Sequence, residues 1–285
     1  MSTTIKTTNE IVREVIDEAS EVARSHFRDA VKPIYGVTDK GAPEHIGSAL
    51  LLALPEGKFI LTAAHVIDWH ATTTLYLGAG TFLPLQLEAY VTAAPDGVRK
   101  DDHIDFAFGR LAPDALANLS GVKFITEADI SRSVSPPDGR MYTCLGYPNS
   151  RNKVSPGRGT AVTPSLFPYT GLGRTAAKLP KIAKDNVHIL VDYDSKRARD
   201  ESGAVVSPVA LEGCSGGAII DSGRISLETL GDKLKPKIAG LVIERHTQEK
   251  VILGTRLSVI VDAIRSQLKI EADAAASSLA KCSSP

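Results

Sequence analysis

Ser48-Ala-Leu-Leu-Leu-Ala-Leu-Pro-Glu-Gly-Lys-Phe-Ile-Leu-Thr-Ala-Ala-His65 places two short β-rich runs, 48–54 and 59–64, on either side of a Pro-Glu-Gly-Lys turn. Apolar and β-branched residues favour the pleated surface, and Gly and Pro punctuate it. The same pattern extends outward. Runs at 73–77, 83–92 and 104–110 follow, then a polar stretch over 112–139 with few strand signals. Further runs lie at 141–146, 187–194, 218–220, 238–244 and 251–253. Many short strands without interleaved helices predict an all-β barrel or sandwich. Two clusters split by a linker predict two barrels.

Helical periodicity is confined to the ends. Ile11, Val12, Val15, Ile16, Ala19, Val22, Ala23 and Phe27 recur at three- and four-residue steps, which predicts an amphipathic helix ending before Pro33. Its apolar stripe must be covered by its own domain or by a regulatory protein partner. Leu257, Ile260, Val261, Ile264 and Leu268 predict a closing helix over 256–268. The expected plan is an N-terminal helix in 1–31, a main domain over 32–270 and a flexible tail over 271–285. The first barrel is expected over 32–125 and the second over 138–255.

The chain has 285 residues, 43% of them hydrophobic, enough for a sizeable core. Acidic and basic residues number 33 each, so no global field draws the chain to nucleic acid or an anionic membrane. Cys144, Cys214 and Cys282 are odd in number and widely spaced, which implies no disulfide framework and no CxxC metal pair. The N-terminal residues carry charges throughout and lack an apolar signal core, and no apolar run is long enough to span a bilayer. A cytoplasmic protein without metal or cofactor is expected.

Three segments carry chemistry: Leu61-Thr-Ala-Ala-His-Val66, Ile104-Asp-Phe-Ala-Phe108 and Gly213-Cys-Ser-Gly-Gly217. A serine hydroxyl needs an adjacent base to attack a carbonyl. Histidine, with an ordinary pKa of about 6.5, suits that task. A buried carboxylate must then fix the imidazole tautomer, and preorganised N–H donors must meet the oxyanion. His65 ends a β-run, Asp105 opens an apolar one, and Ser215 sits among glycines that permit a tight turn. The backbone N–H groups of Gly213 and Ser215 are the expected oxyanion donors. Asp101 and Asp102 are rivals for the orienting carboxylate, and Cys214 for the nucleophile.

At these segments the chain resembles the trypsin-like (chymotrypsin-fold) serine peptidases. Thr62-Ala-Ala-His65 is similar to the family's histidine motif, Gly213-Cys-Ser-Gly-Gly217 to its Gly-x-Ser-Gly-Gly motif, and Asp105-Phe-Ala107 to its Asp-x-Ala motif. The order His, Asp, Ser is also the family's, unlike that of subtilisins or α/β-hydrolases. The resemblance spans residues 34–268 and implies two six-stranded Greek-key barrels, with a His65–Asp105–Ser215 triad in the cleft between them. It further implies a protein or peptide substrate lying along a strand lined by Ile243, Glu244 and Arg245, and a pocket floor at Val209, six positions before the nucleophile.

Two departures matter. In secreted relatives an aspartate just before the nucleophile pairs with a freed N-terminus, and here that position is Cys214. Disulfides are also not expected. Both traits resemble intracellular and bacterial members. Several decoys are set aside. Gly171-Leu-Gly-Arg-Thr-Ala176 fits a loose dinucleotide-loop string without a βαβ setting. Asp192 and Asp194 share a strand face, and Lys178, Lys181, Lys184, Lys196, Arg197 and Arg199 read as solvated loops. Two competing functions remain: a catalytically degenerate peptide-binding or scaffold module, and a hydrolase of small esters.

Overall fold

The computed structural model describes residues 6–282 apart from 87, 120–121, 134–136, 138, 153–163, 195–210 and 225–232. Its first helix, α1 (Thr8–Phe27), opens on a capping box. The Thr7 hydroxyl accepts from the Glu10 N–H, and the Glu10 carboxylate accepts from the Thr7 N–H. The stripe read from the sequence is what α1 buries: Ala19, Ala23 and Phe27 are fully covered. It packs on the second β unit, where Ser20 and Thr170 share a hydroxyl–hydroxyl hydrogen bond.

The first β unit is a seven-stranded antiparallel sheet of β1 (Val31–Val37), β2 (Pro43–Leu54), β3 (Gly57–Ala63), β4 (Tyr76–Gly78), β5 (Phe82–Pro84), β6 (Ala89–Val91) and β7 (Phe106–Arg110). Its order is β5-β4-β1-β2-β3-β7-β6. The second unit is a closed six-stranded barrel of β8 (Arg140–Gly146), β9 (Phe167–Arg174), β10 (His188–Asp192), β11 (Ala218–Arg224), β12 (Lys237–His246) and β13 (Val251–Arg256). The all-β, two-unit expectation holds. The expected closure of the first unit does not, because β5 and β6 end the sheet as a half-barrel. The reason lies in β4, β5 and β6, which are three residues long each and carry Pro84 and nearby Pro95, residues that cannot donate to a ladder.

The run 49–54 is apolar on both faces because both faces are buried. Ala49 and Leu51 point into the first unit with Ile34, Ile60 and Ala107. Leu50, Leu52 and Leu54 point the other way, into a core shared with Leu145, Ile220 and Leu241 of the second unit. That shared core is completed by Leu257, Ile260 and Ile264 of α4 (Leu257–Cys282) and by Phe27 of α1. The two units are thus fused over one buried core.

The C-terminal expectation is corrected. Instead of stopping at 268 before a flexible tail, α4 runs to Cys282. Residues 271–282 contain five alanines, the strongest helix former, and neither Gly nor Pro to stop the helix. Residues 171–174 of the loose dinucleotide string lie on β9, paired with β8 and β10 as an ordinary strand, and Asp192 pairs with Arg174. Lys196, Arg197 and Arg199 lie outside the described residues.

Docking of α1 gives a direct expectation. Phe27→Ala empties a fully buried aromatic site and should lower stability by about 3–5 kcal/mol. Denaturant unfolding checks this, and an unchanged midpoint would mean that α1 contributes nothing to the folded core.

Candidate active site

β3 ends at Ala63, and a single helical turn, α2 (Ala64–Ile67), carries His65 into the cleft. The side chain of His65 is 38% exposed, whereas that of Asp105 is 5% exposed. His65 Nδ1 lies 2.6 Å from Asp105 Oδ2, and the His65 N–H donates to Asp105 Oδ1 at 3.0 Å. Two contacts to one carboxylate fix both the position of the imidazole and its tautomer. With the proton on Nδ1, Nε2 is the basic nitrogen.

Asp105 sits just before β7, not within it, and its φ of +34° is left-handed. Such a backbone costs on the order of 1 kcal/mol or more in a non-glycine residue. Asp102 holds it there. Asp102 Oδ1 accepts from the N–H groups of Ile104 and Asp105 at 3.1 and 3.0 Å. Asp102 Oδ2 accepts from Arg99 at 2.7 Å and from the Thr92 hydroxyl, and Arg99 also pairs with Asp68. The rival carboxylate is therefore a brace for Asp105. Burial raises the Asp105 pKa, and its hydrogen bonds and charge interaction with His65 offset that rise only in part.

Ser215 lies on the loop entering β11. Gly213 and Gly216 there have φ of +92° and +83°. A Cβ on Gly216 would fall 2.1 Å from the Ser48 carbonyl oxygen and 2.3 Å from Thr62 Oγ1, so no side chain fits. The loop is tied to both β units. Ser48 N–H donates to the Ser215 carbonyl, and Gly216 N–H to the Val242 carbonyl, each at 2.8 Å. The Glu212 carbonyl accepts from Asn149 N–H at 2.7 Å. In a trans peptide the carbonyl and the following N–H point in opposite directions, so Gly213 N–H is turned away from Asn149. Among the described residues neither Gly213 N–H nor Ser215 N–H has a hydrogen-bond partner. Burial pushes the neighbouring Cys214 thiol strongly upward, which disfavours the thiolate.

His65, Ser215, Glu212, Ile243, Glu244 and Arg245 line one cleft of about 370 Å³. The Ser215 hydroxyl donates to the Ile243 carbonyl at 2.8 Å, so its bond in this structure is to β12 rather than to His65. Arg245 reaches Glu212 at 3.4 Å and lies 5.7 Å from the Tyr193 ring centroid. Glu244 receives its strand neighbour His246 at 3.0 Å and His103 at 3.2 Å, the latter from a loop 141 positions away that leaves no local signature in sequence. Val209 lies outside the described residues. Among those described, no group of three or more His, Cys, Asp or Glu side chains could hold a metal ion, and no helix is long and apolar enough to cross a membrane.

Two β units fused over one core, one of them a closed six-stranded barrel and the other a half-barrel, with helices at both chain ends, make up the fold. No family model matches the chain, and no curated protein does. Among solved structures it is similar to a Glu endopeptidase in complex with MPD, at 17% identity and a TM-score of 0.45, covering 82% of this chain and 89% of that one. It is also similar to a chain from a structure described as the aromatic-driven coupled folding and binding of the Sesbania mosaic virus VPg protein. There the identity is 15% and the TM-score 0.41, with 81% and 93% covered. The fold assignment rests on the strand pairing above.

Proposed function

We propose that the chain is a serine endopeptidase acting through His65, Asp105 and Ser215. The observation that carries this reading is the cleft itself: an imidazole held by a buried carboxylate, a serine beside it, and two backbone N–H groups around that serine without partners among the described residues. An extended peptide adds to β12 by backbone hydrogen bonds. Its N–H takes over the Ile243 carbonyl and releases the Ser215 hydroxyl toward His65 Nε2. The hydroxyl oxygen then attacks the scissile carbonyl as Nε2 takes the proton. The oxyanion is met by the N–H groups of Gly213 and Ser215. The C–N bond breaks, the amine leaves with the proton from His65, and an acyl-serine remains. Water, deprotonated by His65, attacks the ester and restores the serine.

Parallel assays on casein and on a nitrophenyl ester test the reading. Casein fragments that vanish with a serine-directed inhibitor support it. Ester turnover without peptide cleavage would reassign the site to small esters. A second reading, a peptide-binding scaffold module with a degenerate site, is favoured by the Ser215–Ile243 hydrogen bond, which leaves nucleophile and base unpaired. Peptide binding without turnover would select it.

Specificity belongs to the same proposal. Glu212 offsets the Arg245 charge beside the cleft, and the implied floor residue Val209 is uncharged. An unpaired cation buried there would cost several kcal/mol. The expected profile from a peptide library has small or medium apolar residues before the cut, and dominance of Lys or Arg would refute it.

The uncut chain is expected to be competent. Position 214 offers a buried thiol and no carboxylate to a new N-terminus, and the segment ahead of β1 is engaged as α1. Activity that depends strictly on a cut between 31 and 36 would contradict this. A cytoplasmic setting, and a regulatory partner on the outer face of α1 where Val12 is exposed, complete the reading. The free thiols of Cys144 and Cys214 support the former.

A further inference from the structure

A histidine outside the cleft sits directly beneath its most demanding element. His45, on β2, is 5% exposed and packs edge-to-face on Tyr35 at 5.3 Å between ring centroids. Its Nδ1 lies 2.6 Å from Asn149 Oδ1. Its Nε2 is buried with no hydrogen-bond partner among the described residues. The partner is an amide oxygen, so Nδ1–H is the donor, and burial pushes the ring's pKa down. A buried imidazole with one nitrogen committed to a single amide oxygen makes that contact costly to lose.

What the Asn149 backbone holds is the Glu212–Gly213 peptide. Asn149 N–H donates to the Glu212 carbonyl at 2.7 Å. The next carbonyl, of Gly213, accepts from the Ser48 hydroxyl at 2.8 Å, and Ser48 Oγ in turn accepts from Tyr147 N–H at 2.9 Å. A Cβ added to Gly213 would lie 2.0 Å from Asn149 Oδ1 and 2.8 Å from His45 Cε1. The peptide therefore rests on the His45–Asn149 pair with no room between them.

We infer that His45 and Asn149 are positioning residues for the oxyanion site: the His45 N–H locks the Asn149 loop, and that loop locks the peptide plane whose other end is Gly213 N–H. The inference rests on the serine-peptidase reading of the cleft. A free peptide unit at this glycine could turn over and present a carbonyl oxygen, not an N–H, to the developing anion. Losing one oxyanion donor costs about a hundredfold to a thousandfold in kcat, and a donor only partly misplaced costs less.

The test is steady-state kinetics on one peptide substrate, with near-ultraviolet circular dichroism to verify folding. His45→Ala should lower kcat by about tenfold to a hundredfold while KM stays within about twofold, because the contact matters most in the transition state. Asn149→Ala, at a half-exposed loop position that a fold tolerates, should do the same. His45→Asn places an amide N–H where the ring Nδ1–H lay, can donate to the same oxygen and should return kcat to within a few-fold of wild type. Unchanged kcat in both alanine variants, a loss confined to KM, or no rescue by asparagine in a folded protein would each overturn the inference and leave the serine-peptidase reading standing. A wild-type chain without Ser215-dependent activity would remove both.

Discussion

Ser215→Ala is expected to reduce peptidase activity on the order of a thousandfold or more while the fold survives. Nucleophile, base and orienting carboxylate act as a unit, so removing one forfeits nearly all that the set contributes. What remains is the modest help of the oxyanion donors and of substrate binding. The structural cost is small. The hydroxyl makes one hydrogen bond, to the Ile243 carbonyl, and its net contribution to stability is about 1 kcal/mol. The loop keeps its shape through backbone bonds to Ser48 and Val242, which alanine preserves. Near-normal turnover by the purified, folded variant would remove the nucleophile assignment.

Asp105→Asn is expected to be of similar size, on the order of a thousandfold to ten-thousandfold in kcat, by the logic of the same exchange in serine peptidases at large. The amide keeps the volume of the carboxylate, and asparagine tolerates the left-handed φ of +34°. The Asp102 brace also bonds to backbone, so it is unaffected. What changes is the atom facing His65 Nδ1. An amide nitrogen there favours the opposite tautomer, with the proton on Nε2, and cancels the charge that stabilises the imidazolium. Comparing Asp105→Asn with Asp102→Asn apportions the roles. An active Asp105→Asn protein beside an inactive Asp102→Asn protein would transfer the orienting role to the neighbour.

Much of this arrangement is local and therefore legible in the sequence. The apolar runs around Ala49–Leu54 and Phe59–Ala64 declare strands, and the glycines around Ser215 declare a turn whose crowding against Ser48 and Thr62 the structure accounts for. The stripe Ala19, Ala23, Phe27 declares a helix, though not which surface covers it. What escapes the sequence is either short or non-local. Strands of three residues give too few alternations to reveal that the first sheet stays open. An expected strand start at 104 gives way to 106, because Asp102 draws the chain into a tight turn ahead of β7. His45 and Asn149 are 104 positions apart, and His103 and Glu244 are 141 apart, so nothing in either neighbourhood announces the partner. The five alanines in 271–282 carried the helical signal of the C-terminus, but the missing apolar stripe there concealed it.

The account turns on whether Ser215 is a nucleophile activated by His65. Treatment of the full chain with a fluorophosphonate, followed by peptide mapping in the mass spectrometer, reads this directly. The predicted result is one stoichiometric adduct on Ser215, lost in His65→Ala and slowed in Asp105→Asn. A folded protein that takes up no label, or carries it on another residue, would contradict the account.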